Sequence, residues 1–178
     1  SKKILKIAKS YGAGGWFLRP KKLSLNSSQK IPVIRHALLK SEKFYNKKFE
    51  TIIDLDVTSP LRKIEDILNA YNFFIKQKGN ILLTGCKSKK NPYFNIIEIK
   101  NNKVQVVKKL KKNIYRRQDA PITYDCNGSI YIYKRKSLIN FKSYFTRKTV
   151  FYKMPENRSI DIDSELDFKL VEFLLKKR

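Results

Sequence analysis

Thr51-Ile52-Ile53-Asp54-Leu55-Asp56-Val57-Thr58-Ser59-Pro60-Leu61-Arg62 decides the fold class of this chain. Its first five residues set branched apolar side chains around one acid, the pattern of a buried strand. Asp56 to Arg62 then reads as a loop, in which Thr58 and Ser59 could also cap the helix after Pro60. Beyond it, Ile64, Ile67, Leu68, Tyr71, Phe74 and Ile75 recur at helical intervals, and the helix ends near Gly79. Asn80 to Thr84 is a second apolar strand. Strand, loop, helix and strand in this order make a parallel crossover unit, so the class is α/β with a mostly parallel sheet. Loops leaving the carboxyl ends of such strands hold the ligand, and Asp56 to Arg62 stands at that position.

Upstream, Ile4, Ile7, Ala8 and Tyr11 give a helix over Ser1 to Tyr11, with Gly12 where a C-cap belongs. Gly15 to Leu18 is a short strand candidate, stopped by Arg19-Pro20. Lys21 to Lys30 reads as a polar loop. Pro32 suits the first turn of an amphipathic helix carrying Ile31, Ile34, Leu38 and Leu39. That helix holds the chain's single histidine, His36, which reads as structural. Downstream, Phe94 to Lys100 and Lys103 to Lys108 flank Asn101-Asn102, a hairpin turn that need not join the main sheet. Asn127-Gly128 leads into a strand from Ser129 to Tyr133. A short helix around Ser137 to Ile139 and a strand from Thr149 to Met154 come next.

The chain closes on Arg158-Ser159-Ile160-Asp161-Ile162-Asp163-Ser164-Glu165-Leu166-Asp167-Phe168. In an extended segment Asp161 and Asp163 face the same way. Ser164 and Asp167 have the spacing of a capping box, ahead of Leu170, Val171 and Leu174 at helical intervals. Two carboxylates beside a strand end suit a hard cation such as magnesium. An acidic loop that merely caps the last helix would use the same residues.

At 178 residues the chain reads as one domain, 1–178, with core enough to do without metal or disulfide staples. Cys86 and Cys126 lie far apart, without metal-ligand spacing, and read as reduced thiols of a cytoplasmic protein. No apolar run has membrane-spanning length, so no membrane partner is expected. Forty Lys and Arg against 15 Asp and Glu give a net charge of +25. The lysines are spread through every segment and come with many Ile and Asn, as biased base composition produces. Denser clusters run from Lys87 to Lys90 and from Lys108 to Arg117. Zinc-finger spacing, heptads and ribonucleoprotein motifs are all missing, so no specific nucleic-acid partner is expected. Non-specific attraction to polyanions at low salt is expected.

Six stretches in order resemble the acylneuraminate cytidylyltransferases, which make CMP-activated sialic and related acids. They are Arg19 through Leu23, Lys30 to Leu38, Leu55 to Arg62, Arg116 to Asp119, Asn127 to Ile132 and Ser159 to Asp163. The resemblance implies a Rossmann-like, three-layer nucleotide-diphospho-sugar transferase fold. It implies that CTP and a nine-carbon sugar acid react to give the CMP-sugar and pyrophosphate. By the same resemblance Asp161 and Asp163 hold Mg2+ and form the catalytic set with Arg117. Arg19 contacts the cytosine, and Thr58 and Ser59 line the adjoining nucleotide pocket. Asp56, Arg117, Asn127 and Tyr131 line the sugar-acid side, the Arg117 fork suiting a carboxylate. The hairpin region 92–112 corresponds to a dimerisation excursion, so a homodimer is expected. Asp56-Val57 stands where sialate enzymes carry Gln, and Phe94 where they carry Lys two residues after Pro92. Both departures point to the branch acting on legionaminic-type acids. A Gly- and Lys-containing triphosphate loop, which opens the family's sequences, has no counterpart here. The expectation is an N-terminally truncated member lacking about one crossover unit, of doubtful activity by itself. The rival readings are a ketodeoxyoctonate cytidylyltransferase and a non-catalytic basic protein binding polyanions.

Overall fold

The computed structural model of the protein describes residues 1–14 and 17–177. Its elements are helices α1 (Lys2–Ser10) and α2 (Lys30–Tyr45), strand β1 (Thr51–Leu55), helix α3 (Ile64–Lys76), strands β2 (Ile81–Lys87), β3 (Ile97–Lys100), β4 (Lys103–Val106) and β5 (Tyr124–Lys134), helix α4 (Arg135–Asn140), strand β6 (Thr149–Lys153) and helix α5 (Glu165–Lys176). Short 3-10 turns cover Lys21–Leu23, Arg117–Asp119 and Glu156–Arg158. Among the described residues no helix is long and apolar enough to cross a membrane.

The strands form a four-stranded sheet in the order β1-β5-β2-β6 and a separate two-stranded ribbon of β3 and β4. Asn80 N–H donates to the Lys148 carbonyl (2.9 Å) and Met154 N–H to that of Gly85 (2.7 Å), so β2 and β6 run parallel. Lys134 N–H donates to the Asn80 carbonyl (3.0 Å) and Ser88 N–H to that of Thr123 (2.9 Å), so β5 runs against β2. Arg135 N–H meets the Glu50 carbonyl at 2.8 Å, and Ser59, beyond the end of β1, meets Asn127. That makes β1 antiparallel to β5 as well. β1, β2 and β6 share one direction, and β5 fills the place between the two strands of the crossover.

Chain contacts divide the protein into two compact units, unit 1 (Ser1–Asp54, Tyr71–Leu82, Tyr131–Val150) and unit 2 (Leu55–Ala70, Leu83–Ile130, Phe151–Arg178). In unit 1, Ile31, Ile34 and Leu38 of α2 are buried, as are Phe74, Ile81, Leu82, Ile132 and Leu138. Glu42 is buried with them, and its carboxylate takes both arms of Arg135 at 2.6 and 3.0 Å. That hydrogen bond, above all, holds the Glu42 pKa down to about 2. In unit 2, Leu61, Ala70, Leu83, Ile130, Met154 and Val171 are buried.

Local signals behave as their chemistry requires. Asn101 and Asn102 both take positive φ (50° and 58°), as a two-residue turn of the hairpin type needs. Cross-strand partners are Ile97 with Val106 and Ile99 with Val104, so one ribbon face is apolar. The Ser164 hydroxyl and the Asp167 carboxylate complete the expected capping box of α5. Two expectations differ from the structure. β5 starts at Tyr124 rather than Ser129, because Gly128 at φ +62° lets the strand pass through a bulge-like kink instead of a turn. Phe17 and Leu18 form no strand; Phe17 sets its ring edge-on to His36 at 5.7 Å. The remainder of that candidate, Gly15 and Trp16, lies outside the described residues.

Candidate functional site

The loop after β1 is held from within. The Arg62 guanidinium donates to the carbonyls of Asp56 (2.6 Å), Ser59 (2.8 Å) and Ser129 (3.3 Å). Three carbonyl oxygens converging on one cation fix the turn ahead of α3. Ser59 is fully buried. Its hydroxyl stands 3.1 Å from the Asn127 carbonyl and 3.4 Å from Asp161 Oδ1, acceptors for its single proton. Ile162 N–H donates to the Thr58 carbonyl at 2.9 Å. These contacts bring Thr58, Ser59, Asn127 and Asp161 together in unit 2.

Asn127 is 5% exposed, and its amide is engaged by the protein on every side. Oδ1 accepts from Thr84 Oγ1 (2.8 Å) and Ser129 N–H (3.1 Å), while Nδ2 donates to Ser159 Oγ (2.9 Å). Asp161 is half-buried and Asp163 exposed, in an irregular segment rather than a strand. The segment is anchored upstream by Arg158, whose guanidinium meets both oxygens of the buried Asp66 at 2.7 Å. Burial works to raise the Asp66 pKa. The Arg158 and Lys63 hydrogen bonds and the positive charges of both residues outweigh that, and the carboxyl stays below its usual range.

The remaining candidates make other contacts. Arg117 donates to the carbonyls of Ser88 and Lys89. It lines a cavity of about 360 Å³ with Lys87, Asn91, Gln118 and Thr123. That basic, amide-rich lining suits an anionic group. Arg19 is exposed in unit 1, its Nε donating to Ser24 Oγ at 3.1 Å. Tyr131, also in unit 1, lies under the Lys30 ammonium at 4.0 Å, and Lys30 pairs with Asp54 at 3.1 Å. Asp56 is half-buried and meets Arg62 through its carbonyl.

Arg62, Arg158, Asp66 and Thr84 received no role from the sequence. Arg62 closes the Leu55 to Arg62 stretch, so its signal is local. Arg158 and Asp66 are 92 residues apart, and nothing local joins them.

The donor set fits magnesium. Asp161 and Asp163 supply hard oxygens, and no group of three or more acidic, His or Cys side chains forms a metal-sized cluster among the described residues. Magnesium is commonly held by one or two carboxylates, with water and substrate phosphates completing its octahedron.

No family model matches the chain. It is 44% identical over 178 residues to the post-translational flagellin modification protein B of Campylobacter coli, covering all of this chain and 75% of the relative. It is 46% identical over 175 residues to the CMP-N,N'-diacetyllegionaminic acid synthase of Campylobacter jejuni, covering 98% of this chain and 74% of the relative. The chain thus spans about three quarters of the length of these relatives. Among solved structures, the 4-diphosphocytidyl-2C-methyl-D-erythritolsynthase of Anaerococcus prevotii superposes with a TM-score of 0.61 over 98% of this chain and 76% of that one. At 14% identity, that likeness shows a shared fold and no more.

Proposed function

The chain belongs to the acylneuraminate cytidylyltransferase family, and from that premise we propose that it activates a nonulosonic acid of the legionaminic or sialic type with CTP. The anomeric hydroxyl of the sugar acid attacks the α-phosphorus, the bond to the bridging oxygen breaks, and pyrophosphate leaves with the CMP-sugar as the other product. One observation carries the reading. Asp161 meets Ser59 of the Thr58–Ser59 turn, and the backbone N–H of Ile162 beside it donates to the Thr58 carbonyl. A nucleotide phosphate at the end of β1 would therefore lie near the Asp161 carboxylate.

We assign Mg2+ to Asp161 and Asp163; when bound, it would neutralise charge on the phosphates and orient them. The chain's own groups do the positioning. Ser59 stands beside Asp161, Asn127 ties the segment to β5 through Ser159, and Arg62 holds the turn. Thr58 faces the nucleotide, with Arg19 assigned to the base. The Arg117 cavity takes the sugar carboxylate, and Asp56 and Tyr131 are assigned to the remainder of the sugar acid.

We further propose a homodimer built on the β3–β4 ribbon. Ile97, Ile99 and Val104 share its apolar face and are 56%, 74% and 66% exposed, a surface that a partner would cover. We place the protein in the cytoplasm, where CTP is made.

The test is pyrophosphate release from CTP with a panel of sugar acids. N,N'-Diacetyllegionaminic-type acids are expected to turn over best, and sialic acid more slowly. Turnover restricted to ketodeoxyoctonate would replace this reading with the related cytidylyltransferase. Salt-sensitive polyanion binding without turnover on any sugar acid would replace it with a basic binding module.

A further inference from the structure

The segment that carries the doublet, residues 159–163, belongs to no helix or strand. Without a ladder of its own, its position depends on the contacts at its ends and along its length. Four successive ties hold it. Arg158 meets Asp66, Ser159 accepts from Asn127, Asp161 faces Ser59, and Ile162 donates to Thr58. Only the Arg158–Asp66 tie joins two charged groups. It is bidentate at 2.7 Å on both arms, so it sets angle as well as distance.

Asp66 is 3% exposed and sits in the first turn of α3, where its Oδ2 also accepts from Lys63 N–H at 2.9 Å. The same carboxylate thus caps the helix that leaves the Thr58–Arg62 turn and grips the start of the acidic segment. We propose that the Arg158–Asp66 pair is a positioning device that sets Asp161 and Asp163 against that turn. The inference rests on reading the doublet as the metal-holding pair. A change at the pair moves the carboxylates without touching substrate, as partners behind a ligand do.

The probe is Mn2+ titrated into the protein with CTP and followed by electron paramagnetic resonance, alongside amide hydrogen exchange at Ile162. Asp66→Asn keeps an acceptor for the Lys63 N–H and loses one arm of the Arg158 fork. Mn2+ affinity is expected to fall about 10- to 100-fold, with faster exchange at Ile162. Arg158→Lys, which keeps the charge without the fork, is expected to fall between wild type and Arg158→Gln, and it carries the comparison should Asp66→Asn fail to fold. Wild-type exchange at Ile162 together with Mn2+ binding within twofold of wild type would overturn the proposal. If wild type and Asp161→Ala bind Mn2+ equally, the metal reading falls, and the Ile162 exchange then upholds or overturns the positioning role alone.

Discussion

Replacing Asn127 with Leu separates a structural amide from one that faces a ligand. The substitution keeps the volume roughly constant and removes every polar atom of the side chain. Ser129, fully buried, then keeps an N–H whose 3.1 Å acceptor is gone, a penalty of about 2 kcal/mol. The bonds to Thr84 at 2.8 Å and Ser159 at 2.9 Å are also lost, each worth about 1 kcal/mol net. Thr84 can still reach the Ile130 carbonyl (3.1 Å) and Ser159 that of Pro155 (2.8 Å), so neither hydroxyl is stranded. Apolar burial of the new side chain offsets about 1 kcal/mol. The expected loss is therefore about 3 kcal/mol in equilibrium urea unfolding, read as a lower midpoint at unchanged slope. A loss under about 0.5 kcal/mol, with a sugar-acid KM raised more than tenfold, would refute the reasoning. The amide would then face substrate rather than the protein.

Glu42 makes acid stability depend on unit 1. Its pKa is held from 4.5 down to about 2 by Arg135, so its contribution is complete above pH 4.5 and disappears as the pH falls toward 2. Thermal midpoints measured from pH 6 to pH 2 are expected to fall through that window in wild type, with a shallower fall in Arg135→Met; parallel curves would contradict the pairing. On the β3–β4 ribbon, Ile99→Lys with Val104→Lys puts like charges on cross-strand neighbours of the apolar face. Sedimentation should show a monomer with the far-ultraviolet spectrum retained, and an unchanged dimer would place the interface elsewhere.

Much of the fold could be read because its signals are local. The Asn101-Asn102 turn, the Ser164–Asp167 capping box and the helical spacing from Ile64 to Ile75 each arise from residues a few positions apart. The direction of β5 could not be read in this way. Its pairing with both β1 and β2 depends on partners far along the chain, and Asn127-Gly128 looks locally like a turn. The site divides along the same line. Thr58, Ser59 and Asp161 were legible from two motifs, and the structure joins them. The clamps behind them, Arg62 on three carbonyls and Arg158 on Asp66, became visible only when the chain was folded. The resemblance assigned Asn127 to the sugar-acid side, whereas its engagement with Thr84 and Ser159 was not legible, because those bonds cross to another strand and a loop.

The most direct test is the turnover number of Asp161→Ala, measured as pyrophosphate release from CTP and the preferred sugar acid at saturating Mg2+. With the carboxylate beside Ser59 removed, kcat is expected to fall at least about 100-fold (roughly 2.7 kcal/mol of barrier), while the urea midpoint stays near wild type. A kcat within twofold of wild type in a folded variant would show that the chemistry happens elsewhere.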